Sequence, residues 1–207
     1  MKIKCFGLGI YLTNCYLAYE DKKEAFFIDC GGAELEGLKK YVEENDIKIK
    51  ALILTHGHHD HISGLEEFAK SFPDSIIYIS EEEKEFLTEP NYSLSKMING
   101  VAFKYEGEVT TVKDTDKIGP FTVMMTPGHT RGSMCLYSKE NNILFSGDTM
   151  FKQSYGRYDL PTSSGEDLIK SLKKLSQLPL ETVVLSAHSE STTIEEEIVF
   201  LKKQGMI

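Results

Sequence analysis

Arginine is scarce in this chain, supplying two of its 23 basic residues, and only four of its 207 residues are cysteine. No apolar run approaches the ~18 residues that cross a membrane. Each shortage excludes something. With 32 acidic residues against 23 basic ones and a net charge of −9, the chain lacks the basic surface that phosphate backbones require, which argues against a nucleic-acid partner. The cysteines, Cys5, Cys15, Cys30 and Cys135, contain no C-x-x-C pair. A chain of this size has no need of disulfide staples, so free thiols and a cytoplasmic location are expected. Lys2 and Lys4 precede an uncharged stretch, but Gly7, Gly9, Thr13 and Asn14 break it. That segment predicts two strands and a turn rather than a signal peptide.

Histidine and aspartate stand out instead. Four of the six histidines occupy one hexapeptide, His56-Gly57-His58-His59-Asp60-His61, and the others are His129 in Thr126-Pro127-Gly128-His129-Thr130 and His188 in Ser186-Ala187-His188. Asp148 lies in Ser146-Gly147-Asp148-Thr149. Packing does not call for such a density of imidazole and carboxylate. In extended chain His56 and His58 point the same way and suit one ion, whereas Asp60 and His61 point elsewhere and suit a second. These donors fit zinc, iron or manganese.

The pattern around them predicts alternating strands and helices. Apolar runs at 26–28, 51–54 and 76–79 read as strands, with a helix over 33–45 and another opened by Ser63. Ser80 and Glu83 have the spacing of a capping box. Residues 90–120 are poorly patterned apart from a strand near 109–112, and a mobile loop over the site is expected there. Strands return at 121–125, 134–137, 143–145 and 182–185. Ser164 opens a helix with Leu168, Leu172, Leu175 and Leu178 on one stripe, and a last helix runs through Lys203. Asp60, His129, Asp148 and His188 each follow a predicted strand, where a rigid frame can hold a site.

His56-x-His58-x-Asp60-His61, followed in order by Pro127-Gly128-His129-Thr130, Gly147-Asp148 and His188, resembles the metallo-β-lactamase superfamily. Asn14-Cys15-Tyr16-Leu17, Ile28-Asp29-Cys30-Gly31, 156–161 and 192–194 are similar to its glyoxalase II-like hydrolases. The resemblance implies an α+β fold, the αββα sandwich of two mixed sheets with helices on the outer faces. It also implies one domain over 1–207, without the C-terminal helical domain of glyoxalase II. By the same resemblance His56, His58 and His129 hold one divalent ion, Asp60, His61 and His188 hold a second, and Asp148 bridges them. Zinc is expected, with iron or manganese as alternatives. Asp29 would hold a ligand histidine, and Asp60 would relay a proton. The implied reaction is hydrolysis of a small-molecule thioester of the S-2-hydroxyacyl kind by a metal-bridging hydroxide.

Other readings stand beside this one. Ala187-His188 and Glu195-Glu196-Glu197 are similar to persulfide dioxygenases, which would use His56, His129 and Asp148 around one iron. A metal-stabilised module without catalysis is a third reading, and the sequence leaves the oligomeric state open. His59, at a variable position of the motif, is expected to be exposed beside the site. Arg131, Arg157 and Tyr158 are candidates for substrate binding, although Arg157 also suits a clamp onto Asp159. Glu81–Glu83 and Glu195–Glu197 are expected to be solvated helix N-termini.

Overall fold

The computed structural model describes residues 1–20 and 24–207. These form two compact units, one comprising Met1–Ile79 with Lys84–Thr111, the other Ser80–Glu83 with Val112–Ile207.

The first unit is built on a mixed sheet. Strand β1 (Lys2–Leu8) pairs antiparallel with β2 (Thr13–Tyr19), and β2 with β3 (Glu24–Ile28). Strands β3, β4 (Lys48–Ile53) and β5 (Ile76–Ser80) run parallel, and β6 (Thr110–Val112) completes the order β1-β2-β3-β4-β5-β6. The parallel strands carry the continuous apolar runs of a sheet covered on both faces, and Phe27, Leu52 and Ile53 are fully buried. Helix α1 (Glu36–Glu44) buries Leu38 and Val42, and α3 (Leu65–Ser71) stacks Phe68 on Phe27 at 5.9 Å between ring centroids. Between them in sequence lies the one-turn helix α2 (His59–Ile62). The helix expected to open at Ser63 starts instead at Leu65: Ser63 closes α2, and its hydroxyl donates to the Gly31 carbonyl.

Residues 90–120 hold more structure than their pattern announced. Helix α4 (Ser95–Asn99) is bounded by left-handed residues at both ends, Leu94 and Gly100, and the Phe103 amide donates to Ser95 Oγ. A helix of five residues has too few turns to show periodicity.

The second unit carries a sheet of order β14-β13-β10-β9-β8-β7, comprising β7 (Lys117–Ile118), β8 (Phe121–Met125), β9 (Met134–Ser138), β10 (Ile143–Gly147), β13 (Val183–Ser186) and β14 (Thr192–Thr193). A small hairpin, β11 (Met150–Phe151) with β12 (Ser154–Tyr155), forms its own two-stranded sheet, with β11 lying against β10 and β13. Helix α5 (Gly165–Leu175) buries the Leu168, Leu172 and Leu175 stripe, and the Ser164 hydroxyl caps it by accepting from the Asp167 amide. Leu178 falls beyond the helix end. Helix α6 (Ile194–Lys203) is capped in the same way by Thr193.

Tertiary partners override three local expectations. Ser80 and Glu83 do not form a capping box, because Ser80 Oγ donates to the Gly132 carbonyl and Glu83 Oε1 accepts from the Gly132 amide. Glu83 is consequently buried rather than solvated, in a 3-10 helix over Glu81–Leu87. Glu197 is buried too, its carboxylate accepting from Thr192 Oγ1 and from the Gln153 amide. All four cysteines are free thiols, Cys5 exposed and the others buried. Among the described residues, no helix is long and apolar enough to cross a membrane.

Candidate metal-binding clusters

In the first unit, the parallel register sets Ile28 of β3 beside Ile53 of β4, so the residues after both strands emerge together. Asp29 adopts left-handed backbone with φ 60° and its amide donates to the Ile53 carbonyl. Aspartate is among the few side chains that tolerate this region. The turn carries the Asp29 carboxylate, 1% exposed, across to Thr55 and His61. It accepts from the Thr55 amide at 2.8 Å, from Thr55 Oγ1 at 2.9 and 3.1 Å, and from His61 Nδ1 at 2.9 Å.

Those bonds determine where the protons lie. A carboxylate only accepts, so His61 carries its proton on Nδ1 and presents the lone pair of Nε2. Thr55 gives its single hydroxyl proton to Asp29, so its oxygen accepts from His56 Nδ1 at 3.2 Å and leaves His56 Nε2 with a lone pair as well. Asp29 thus orients two imidazoles, one directly and one through Thr55. The role expected of Asp29 toward a histidine has its contact here. Thr55 was not singled out from sequence, since a threonine at a strand end has no signature of its own.

His56 Nε2 stands 3.1 Å from His58 Nδ1, and His61 Nε2 stands 3.9 Å from Asp60 Oδ2. His59 is not exposed as expected. The chain turns helical at this point, which swings its ring away from its neighbours; its amide donates to the Ser93 carbonyl and its ring lies edge-on to Phe103 at 5.4 Å. Burial lowers the His59 pKa, with the Asp60 charge opposing the shift. Burial raises the pKa of Cys15 and Cys30, which favours thiols over thiolates beside this cluster.

The second unit holds His129, Asp148 and His188. The loop carrying His129 rests on the start of α5. Ser171 Oγ donates to the Pro127 carbonyl, Ser163 Oγ to the His129 carbonyl, and the Ser164 amide to the Gly128 carbonyl. Gly128, at φ 142°, has no room for a side chain, because a Cβ would fall 2.4 Å from the Leu168 backbone nitrogen. His129 Nδ1 donates to the Arg157 carbonyl at 2.8 Å, which again leaves Nε2 with its lone pair. A tight turn after β10 presents Asp148, and the Ala187 amide donates to the Gly147 carbonyl, bringing the His188 loop alongside. Asp148 Oδ2 lies 3.5 Å from His129 Nε2, and Asp148 Oδ1 lies 3.5 Å from His188 Nε2.

Tetrahedral zinc binds nitrogen at ~2.0–2.1 Å, which puts two of its donors about 3.3 Å apart. The His56–His58, His129–Asp148 and His188–Asp148 spacings of 3.1, 3.5 and 3.5 Å match that edge, and their side chains are of the right chemistry. The residues present therefore fit divalent metal.

The three candidates for substrate binding are placed as follows. Arg157 donates to both oxygens of Asp159, from Nε at 2.9 Å and from Nη2 at 3.0 Å, the clamp that its sequence neighbours allowed. Arg131 Nε donates to the Glu82 carbonyl. Tyr158, half exposed, stacks on Tyr155 with centroids 6.4 Å apart. The hydroxyls of Thr130 and Thr149 bond to Ser133 and Thr126.

A profile of the metallo-beta-lactamase superfamily matches residues 8–188, a span that includes all seven donors. The chain belongs to this superfamily. It is 32% identical over 209 residues to the hydroxyacylglutathione hydrolase GloC of Haemophilus influenzae, covering 95% of each chain. Among solved structures it is similar to the BLEG-1 B3 metallo-beta-lactamase, with a TM-score of 0.88 and 33% identity over 96% of this chain and 97% of that one. It is also similar to TTHA1623 in a di-iron-bound form, with a TM-score of 0.85 and 30% identity over 94% and 96%. Family and structural likeness together show the α+β fold class expected from the sequence, and members of this superfamily are mostly metal-dependent hydrolases.

Proposed function

We propose that the chain is a binuclear metal-dependent thioester hydrolase acting on S-2-hydroxyacyl substrates, with zinc as the expected metal. The observation that carries this reading is Asp148, whose two carboxylate oxygens each face the Nε2 of a different histidine at 3.5 Å. One carboxylate serving two imidazoles in this way is suited to bridging two ions. His56, His58 and His129 would hold the first, Asp60, His61 and His188 the second. The likeness to GloC supports the thioester, and the likeness to a di-iron-bound structure supports two ions and keeps iron as the alternative metal.

When bound, such an ion pair supplies a water acidified from ~15.7 toward about 7 and Lewis acidity at the substrate carbonyl. The protein's part is orientation and proton handling. Asp29 and Thr55 keep protons on the outward nitrogens of His61 and His56, and the Arg157 carbonyl does the same for His129. Asp60, partly exposed beside His61, would take up a proton and release it to solvent. The departing thiolate is a good leaving group and needs little help from an acid.

Elemental analysis of the purified chain with a thioester panel tests the proposal. About two metals per chain together with S-lactoylglutathione hydrolysis, both lost in Asp148→Ala, is the expected result. About one iron per chain with oxygen uptake on a glutathione persulfide would replace it with a dioxygenase. Hydrolysis of a chromogenic cephalosporin without any thioester turnover would replace it with a lactamase.

A further inference from the structure

A cavity of about 370 Å³ lies within the first unit, walled on one side by His59 and Asp60 of α2 and on the other by the segment from Ile98 to Phe103. Its size is at the small end of sites that hold organic ligands. The wall is built rather than incidental. The Ser93 carbonyl accepts the His59 amide and Ser95 Oγ accepts the Phe103 amide, so both ends of the α4 segment are tied down.

The lining has a definite chemistry. Ile10, Ala33, Ile98, Val101, Ala102 and Phe103 make most of it apolar. Glu34 and Asp60 are its two ionisable acids, and no lysine or arginine lines it. Glu34 is turned to the Gly9 amide, which donates to Oε1 at 2.7 Å. Ile10 is 69% exposed and Val101 65% exposed, although both border the cavity, so its mouth presents large apolar side chains to water. Exposed apolar side chains at the rim of a concave site suit an apolar ligand. Apart from the ion that Asp60 would hold at one end, an anionic group would meet the Glu34 carboxylate and no lysine or arginine along this lining, whereas an uncharged chain would gain burial against its apolar side chains.

We propose that this cavity is the acyl pocket of the hydrolase and that it takes an uncharged, mainly apolar acyl chain of more than two carbons, leaving the charged thiol carrier outside. The inference rests on the hydrolase reading, since Asp60, one of its walls, is a candidate ligand there. It deepens that reading by naming the acyl class and by assigning residues 98–103 as specificity-determining.

The test uses the zinc-loaded full chain and two probes. The first is a series of S-acyl-N-acetylcysteamine thioesters from acetyl to octanoyl. kcat/KM is expected to rise about fourfold per added methylene until the cavity is filled. Ala102→Trp, which fills the cavity from an exposed position, is expected to abolish that rise, with zinc content on the same sample reporting that the variant is folded. The second probe is 2-octanone, a neutral ketone that no hydrolase cleaves, followed through the 13C-labelled methyl resonances of Ile98 and Val101. Shifts at those methyls that are absent in Ala102→Trp support the pocket. If short thioesters are cleaved with no dependence on chain length, the pocket assignment falls and the hydrolase stands. If no thioester is cleaved but the ketone shifts those methyls, the neutral-ligand site stands and the hydrolase falls. If the ketone leaves them unmoved, the inference is overturned whatever the kinetics.

Discussion

Replacing Thr55 with valine isolates the proton arrangement around His56. Valine keeps the shape of threonine and removes one oxygen, the acceptor for His56 Nδ1–H at 3.2 Å. His56 is 1% exposed, so water does not readily take the place of that oxygen. Two responses are open to the ring. It can keep its proton on Nδ1 and leave a buried donor unsatisfied, which costs about 1–3 kcal/mol. Alternatively it can move the proton to Nε2 and lose the lone pair that stands 3.1 Å from His58 Nδ1. The first carries its cost with and without metal, so the ring takes the second, and zinc affinity falls by about 5- to 150-fold because binding must return the proton to Nδ1 and leave it unsatisfied. Asp29 keeps the Thr55 amide and His61 as donors, so its own charge stays satisfied and the fold is expected to survive. The assay is chelator competition for zinc on wild type, Thr55→Val and Thr55→Ser, with circular dichroism on each sample. Serine, which retains the hydroxyl, is expected to bind zinc within a few-fold of wild type. A valine variant that binds zinc within twofold of wild type would refute the reasoning.

Three further outcomes are expected. Gly156→Ala places a Cβ 1.9 Å from the Asp148 carbonyl oxygen and 3.2 Å from His129 Cβ, so it should destabilise by about 1–3 kcal/mol in urea melts and weaken zinc binding together. Arg157→Ala removes a solvent-screened surface ion pair that contributes little to stability but keeps the backbone carbonyl that holds His129, so zinc affinity should stay within twofold. Burial holds the Cys135 thiol up at about 11, against 9.0 ordinarily, with hydrogen bonds from Thr126 and Thr149 opposing the shift. Because the folded pKa is raised, this contribution is intact below pH ~9 and is lost as the unfolded thiol ionises between about 9 and 11, some 3 kcal/mol at most. The urea-stability gap between wild type and Cys135→Ala should therefore narrow from pH 7.5 to 10.5, and a constant gap would count against the shift.

What could be read in advance followed from how local each signal was. The apolar runs of β3, β4 and β5, and the leucine stripe of α5 with its Ser164 cap, are short-range patterns, and the structure contains them with ends shifted by up to three residues. The donors were legible because no packing demand puts so many imidazoles in one hexapeptide. What stayed hidden depended on distant partners. Ser80 and Glu83 carry a sound local capping pattern, yet Gly132, 52 residues from Ser80, takes both side chains. Glu197 has the composition of a solvated helix start and is buried because Thr192 and the Gln153 amide supply its donors. His59 went inward because the motif stops being extended after His58, and the one-turn helix begins at His59 itself. The segment around α4 has no periodicity, so its role as a cavity wall could only emerge from the fold.

The positions of the donors follow from strand direction more than from the motif itself. In the first unit β3 and β4 are parallel, so Asp29 and Thr55 leave the sheet at the same end and reach each other directly. An antiparallel pairing would have put one of them at the far end, about 15–17 Å away for strands of five residues. In the second unit β10 and β13 are parallel, and β8 reaches β10 through two antiparallel steps by way of β9. All three therefore run one way, and His129, Asp148 and His188 follow their C-terminal ends. Gly147 and Ser186 pair directly across β10 and β13, which sets Asp148 and His188 side by side before any side chain is chosen. A metal cluster assembled in this way tolerates changes along the strands, provided their register is kept. The residues that fix the candidate donors are those just past the strand ends: Asp29 and the Thr55 hydroxyl in one unit, and Gly128 and Gly156, where a Cβ has no room, in the other.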